Sequence, residues 1–302
     1  MPAVSLSHYG TRSRTKLHRF SGLIIDKSIH YDQKVAAMQS EHEIPLEREA
    51  TLLICSDRPE TVYHEIASLT AVGAYKLIPG APQLLQDHYF DTADRKLSAR
   101  KWGLRLRRIG PSLWITLKGP STQTEWGGRE RAETEAIWSK TSLAEVEAEL
   151  SRHSIEMDFP GEDLEHSDPM EVMAGAGLVV IQRRDTRRAA SAVISGTDGT
   201  VQAELAADSV AYIFPETEIL HYEVEIESKG PNGPTAAVAI AEYLLAEYSP
   251  ELKRWRHDKL ATGWAVRELL TGGSLEGLLD VNNRLKSAAY DRIDEYLRHE
   301  LS

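Results

Sequence analysis

The stretch LEREATLLIC, residues 46–55, decides how the rest of the chain is read. In an extended strand alternate side chains share a face, so Glu47, Glu49 and Thr51 point one way while Leu46, Leu52 and Ile54 point the other. Two glutamates on one strand face mark either wet surface or the lining of a polar cavity. With 46 Asp+Glu in 302 residues, one such pair arises by chance. Repetition changes that reading. RERAETEA, residues 129–136, places Arg129, Arg131, Glu133 and Glu135 on one face, and YEVEIES, residues 222–228, does the same for Glu223, Glu225 and Glu227. In LRLRR, residues 104–108, Arg105 and Arg107 alternate with Leu104 and Leu106.

Runs of one sign suit an exposed sheet poorly, because directly opposed like charges are destabilising. A closed barrel whose inner face collects both signs accommodates them. Its carboxylates need cations, and its arginines and lysines need an anion. A polyanion held through a divalent cation satisfies both sets: carboxylates suit Mg²⁺ or Mn²⁺, and the planar guanidinium matches two phosphate oxygens. Further charges fall where such a cavity would use them. Lys118 ends WITLKGP, Arg183, Arg184 and Arg187 cluster in QRRDTRR, Asp208 closes VQAELAAD, and Arg254, Arg256 and Lys259 lie in KRWRHDK.

The global numbers bound the partners. The 35 Lys+Arg against 46 Asp+Glu give a formal charge of -11, which opposes nonspecific attraction to nucleic acid or an anionic membrane. No apolar run approaches the roughly 20 residues of a membrane-crossing helix, and the amino end lacks the pattern of a secretory signal, so a cytoplasmic location is expected. The single Cys55 excludes an internal disulfide and a multi-cysteine zinc site.

Residues 1–42 are basic, rich in Ser and His, and without sustained period, which predicts a disordered tail. Residues 43–271 predict a domain of strands, helix, strands, helix in two similar halves. Strands are expected over 46–55, 84–90, 104–108, 113–117, 128–138, 178–184, 187–194, 200–208 and 218–227. Helices are expected over 59–69, 143–152 behind an N-cap at Ser142, and 234–248. In residues 272–302, Leu278, Leu285, Ala289, Ile293 and Leu297 form a helical stripe suited to packing on the domain or on a second copy in a homodimer. There is no phosphate-binding G-x-x-x-x-G-K-[ST] loop, no H-E-x-x-H spacing, and no glycine fingerprint following a strand.

The ordered series of motifs over about residues 43–265 resembles the CYTH superfamily, the triphosphate tunnel metalloenzymes that include class IV adenylate cyclases and thiamine triphosphatases. Its opening E-x-E-x-K is matched by Glu47, Glu49 and Thr51, with threonine where the family has lysine. Tyr89-Phe90-Asp91-Thr92, Leu104-Arg105-Leu106-Arg107, Thr116-Leu117-Lys118, and Arg131, Glu133 and Glu135 follow in order. Then come the basic cluster near residues 183–187, Asp208, and Glu223 with Glu225; the closing S-K pair falls at Trp255-Arg256.

The resemblance implies an α+β fold built on an eight-stranded antiparallel β-barrel that takes a small-molecule triphosphate end-on with Mg²⁺ or Mn²⁺. It implies metal ligands among Glu47, Glu49, Glu133, Glu135, Asp208, Glu223 and Glu225. Substrate contacts would come from Arg105, Arg107, Lys118, Arg131, Arg184, Arg187, Arg256 and Lys259, and catalytic roles would fall to Glu47, Glu49 and Arg256. The implied activity is hydrolysis of the terminal phosphate of inorganic triphosphate or a related organic triphosphate. The alternatives are a class IV-type adenylate cyclase, or a non-catalytic polyphosphate- or nucleotide-binding module, the latter suggested by Thr51.

Overall fold

The computed structural model describes residues 45–160 and 167–300; the expected tail over residues 1–42 lies outside them. In chain order the elements are β1 (Leu46–Ile54), α1 (Pro59–Ala67), β2 (Ala71–Val72), β3 (Tyr75–Pro79), β4 (Gln83–Thr92), β5 (Gly103–Ile109), β6 (Ser112–Lys118), β7 (Thr122–Gln123), β8 (Arg129–Ile137) and α2 (Lys140–Arg152). They continue with α3 (Pro169–Gly175), β9 (Leu178–Ser195), β10 (Val201–Ile213), β11 (Glu218–Ser228), α4 (Gly233–Glu247), β12 (Leu252–Trp255), α5 (Lys259–Thr271) and α6 (Ser287–Glu300).

Eight strands close a ring in the order β1, β8, β6, β5, β4, β9, β10, β11 and back to β1, every neighbour antiparallel. The first strand of the sequence thus sits between the last barrel strand and β8, and the five ring strands of residues 46–137 and the three of residues 178–228 each form one unbroken arc. Outside the ring, β12 pairs with β1, β7 with β8, and the β2–β3 ribbon with the far end of β9.

Strand alternation puts charge inside this ring and hydrocarbon outside it. Ala50, Leu52 and Ile54 of β1 join Leu205 and Ala207 of β10 and Val224 and Ile226 of β11 under α1 and α4. Leu104 and Leu106 of β5 and Ile115 and Leu117 of β6 pack under α2 and α3. A third cluster gathers Leu53, Ile219 and Trp255 against α5 and α6. The first two clusters lie between the barrel wall and its helices, whereas Leu53 and Ile219 of the third share the strand faces of Glu49 and Glu223, so this cluster meets α5 and α6 on the inward side of the wall. Each fully buried Leu, Ile or Val contributes about 1.5–3 kcal/mol. A one-residue slip of any wall strand would turn its charges toward the helices, so this packing fixes the register.

Three expectations need correction. The strands expected over 178–184 and 187–194 are one strand, β9, because Asp185 and Thr186 contain no turn-forming break and Thr186 is buried in the wall. The stripe over residues 274–300 is helical only from Ser287; Gly277 and Asn283 adopt positive φ and break the earlier part into turns. Helix α2 starts behind Ser139, whose hydroxyl accepts from the amide of Ser142, while Ser142 answers from the third helical position in a reciprocal capping box.

Candidate active site

The barrel register sets most inward cations beside inward carboxylates. Glu47 stands across from Arg131 and Glu49 from Arg129. Lys118 faces Glu133, Asp87 faces both Arg107 and Arg184, and Asp208 faces Arg188. Three groups result.

The first surrounds Lys259, the first residue of α5, whose N-cap Asp258 accepts from the amide of Ala261 at 2.8 Å. The Lys259 ammonium lies 3.0 Å from Asp208 and 2.6 Å from Glu225, and it also contacts Glu223. Arg188 donates to both oxygens of Asp208, at 2.9 and 2.6 Å, and reaches Glu225. Burial opposes ionisation here, but Lys259 and Arg188 win and hold Glu225 well below the usual carboxylate range. Arg188 and Lys259 likewise lower Asp208 against its burial. Oxygens of Asp208, Glu223 and Glu225 all come within 4.8 Å of one another. An all-oxygen set of this kind suits Mg²⁺ or Mn²⁺, and the buried ammonium already shows that the three converge on one positive charge.

The second group holds β1. Lys118 donates to both oxygens of Glu47 at 2.8 and 2.7 Å, and Arg131 donates to Glu47 at 2.7 Å, to Glu49 at 3.2 Å and to Asp258 at 2.8 Å. Burial raises Glu47, yet Lys118 and Arg131 outweigh it and keep this carboxyl well below its ordinary value. Glu49 goes the other way: burial, then Glu47 and Glu225, outweigh Arg129 and Arg131 and raise it. Arg129 donates to Glu49 at 2.7 Å and to the hydroxyl of Thr51 at 3.1 Å. A guanidinium from β8 therefore lies where the sequence lacks a lysine on β1.

The third group is dominated by arginine. Asp87 is fully buried and receives two bonds from Arg107 and one from Arg184, all at 2.7 Å, with Arg105 at 3.7 Å. The Tyr89 hydroxyl accepts from Arg184 at 3.0 Å and from Arg105 at 3.4 Å. Three guanidinium groups on one carboxylate leave excess positive charge. Arg184 is only 1% exposed, and its Nε and Nη1, with Nε of Arg105, lack hydrogen-bond partners among the described residues. Unsatisfied buried donors of this charge favour an anion.

Two expected site residues lie elsewhere. Arg187 is exposed on the outer face, since only residues an even number of positions from Arg184 point inward on β9; Arg188 takes the interior place. Arg256, with a side chain 57% exposed, reaches Asp294 of α6 at 3.3 Å outside the barrel. Lys259, at the start of the following helix, supplies the cation at the carboxylates instead. Of the seven expected metal ligands, Asp208, Glu223 and Glu225 form the one cluster at ligating distance among the described residues. Glu133 and Glu135 engage Lys118 at 3.4 Å and Arg105 at 3.1 Å. Sequence reasoning missed Asp87, Arg188 and Asp258, and it placed Arg129 on the charged face without giving it a role. The alternation with Tyr89 and Arg184 could have found Asp87 and Arg188. Asp258 needs the loop between β12 and α5.

A family model described as CYTH domain matches residues 69–253, more than half of the chain. That span leaves out Glu47, Glu49 and Lys259, which the fold brings to it. None of the curated proteins matches the chain. Among solved structures, a candidate adenylyl cyclase from Hippeastrum, described as having a dominant triphosphatase activity, is 21% identical over 73% of this chain and 96% of its own, with a TM-score of 0.47. A candidate adenylate cyclase from Bacillus halodurans is 22% identical over 70% of this chain and 92% of its own, with a TM-score of 0.41. The Mimivirus capping enzyme triphosphatase is 11% identical over 72% of this chain and 96% of its own, with a TM-score of 0.33.

Proposed function

The chain belongs to the CYTH domain family, and from that premise we propose that it is a metal-dependent phosphohydrolase that removes the terminal phosphate of inorganic triphosphate or a related organic triphosphate. The observation that carries this reading is the polarity of the lumen: a carboxylate cluster that converges on a cation and, in the same closed barrel, an arginine cluster with unsatisfied buried donors. A linear polyphosphate has the charge to engage both.

Arg105, Arg107 and Arg184 would bind phosphate oxygens, with Lys118, Arg129 and Arg131 adding positive charge along the β1 and β8 side. Asp208, Glu223 and Glu225 would hold Mg²⁺ or Mn²⁺, which when bound supplies charge neutralisation at the phosphoryl oxygens. In hydrolysis, a water oxygen bonds to the terminal phosphorus and the bridging P–O bond breaks, releasing orthophosphate and the shortened phosphate chain. The water's proton goes to a carboxylate. Glu47 is held ionised by its cations, whereas the raised Glu49 binds a proton more readily and is the better acceptor. Phosphoryl transfer asks mainly for positioning and charge stabilisation, and a preorganised charged lumen supplies them.

Phosphate release from tripolyphosphate and from ATP, each with and without Mn²⁺, tests the proposal. Mn²⁺-dependent orthophosphate release supports it. Conversion of ATP to pyrophosphate and a cyclic nucleotide would replace it with the cyclase reading, and tight binding of tripolyphosphate with no product would replace it with a binding module.

A further inference from the structure

Glu223, a fully buried carboxylate of the metal-candidate cluster, is gripped from both sides. One oxygen faces the Lys259 ammonium. The other lies 2.7 Å from Nε2 of His221, a fully buried residue two positions earlier on β11. Nδ1 of His221 in turn lies 3.0 Å from the hydroxyl of Tyr290 on α6. The chemistry of the three groups sets the direction of each bond. A carboxylate oxygen accepts, so Nε2 carries the hydrogen; in that tautomer Nδ1 accepts, and the tyrosine hydroxyl donates.

Packing removes the remaining freedom. The imidazole stacks on Tyr212, with centroids 6.0 Å apart and planes at 27°, and abuts the Tyr290 ring at 5.6 Å. Tyr290 sits among Ala289, Ile293 and Leu297 on the face that α6 buries against the barrel end. A carboxylate with one oxygen tied to a donor of fixed position has one oxygen left to offer, and its orientation is no longer its own.

We propose that Tyr290, acting through His221, is a positioning residue that turns Glu223 toward the cation site, so that α6 is a working part of that site. The inference rests on the reading of Asp208, Glu223 and Glu225 as a divalent-cation cluster. Groups hydrogen-bonded behind a metal ligand affect metal affinity by roughly 10- to 100-fold when removed. A relay that only satisfied buried polar atoms would affect folding stability and leave affinity alone.

The test is a Mn²⁺ titration of the full chain without substrate, followed by loss of the free-ion EPR signal, with thermal unfolding measured alongside. Tyr290→Phe deletes one oxygen and keeps the ring, and it should weaken Mn²⁺ binding on the order of tenfold. His221→Leu should weaken it further, and His221→Gln, which retains an N–H donor, should recover part of the loss. Ile293→Val, on the same face of α6, should lower the unfolding temperature with Mn²⁺ affinity unchanged. Wild-type affinity in Tyr290→Phe, or an equal loss in Ile293→Val, would overturn the positioning role while leaving the cation cluster in place. Absence of Mn²⁺ binding by the wild-type chain would overturn both.

Discussion

Replacing Lys259 by methionine tests the charge balance of the lumen directly. The side chain keeps its length and loses its ammonium, so Asp208 and Glu225 are left with Arg188 as their contacting cation and Glu223 with His221. Leaving a buried charge without its partner costs about 3–5 kcal/mol. For a domain of this size about 1 kcal/mol moves the midpoint by 2–4 °C, so Lys259→Met should unfold on the order of 10 °C below wild type in EDTA at pH 8.

The sign of the pH dependence follows from the same groups. In wild type, Asp208 and Glu225 are depressed below their ordinary 3.8 and 4.5, so their stabilisation is complete above those values and fades only as pH falls below them. In the variant the carboxylates lose the cation that depressed them and their proton affinity rises. The deficit should therefore be largest at pH 8 and shrink as the pH is lowered and they protonate. A divalent cation would fill the vacated charge: Mn²⁺ at 100 times its dissociation constant adds about 2.7 kcal/mol. Calorimetry with and without Mn²⁺ decides. A variant as stable as wild type in EDTA, or one that gains less from Mn²⁺ than wild type does, refutes the assignment of Lys259 as the cluster's counter-charge.

Two further outcomes follow. Thr51→Lys should bring no rise in kcat on tripolyphosphate and should lower the unfolding temperature, because Arg129 already occupies the space beside Thr51 and a second buried cation would face it; a higher kcat would show that the Arg129 guanidinium does not stand in for the missing lysine. Burial, then Glu47, Glu204 and Glu133, overcome Lys229 and push Glu227 up to about 7. It is protonated below that pH and charged above it, so folding becomes less favourable from its ordinary 4.5 up to about 7, and polyanion binding should weaken as pH rises through 7. The KM–pH profile for tripolyphosphate in Glu227→Gln should lack that rise relative to wild type, and superimposable profiles would refute it.

The lumen was legible wherever a charge alternates along one strand. Glu47 with Glu49, Arg105 with Arg107, and Glu223 with Glu225 each declare their face by the two-residue period, and the apolar residues between them declare the outer packing. What the period could not supply was phase across a break. Placing Arg184 and Arg187 together required a turn between them; β9 runs straight through, so the pair points to opposite sides. Lys259 was expected as a phosphate contact, and its place among the carboxylates was hidden for a different reason. It reaches the carboxylates from the end of a helix that follows a four-residue strand, a geometry set by the docking of α5 and not by any local pattern. The link from Thr51 to Arg129 depends on which strands are neighbours, and the closure of β1 against β8 joins residues 78 positions apart.

Because the hydrocarbon of two of the three clusters packs outside the wall and the charge inside it, the two halves of this protein's identity are free to drift at different rates. Exchange of lumen residues leaves the helices seated, provided each loss is answered by its neighbour across the ladder. A lone change strands a buried charge; a matched change, cation and carboxylate together, costs little. Inheritance in the lumen should then proceed by couples, with Glu47 changing alongside Lys118 or Arg131, and Asp87 alongside Arg107 or Arg184. Such a wall lets a lineage retune which anion it admits while the shell around it stays recognisably the same.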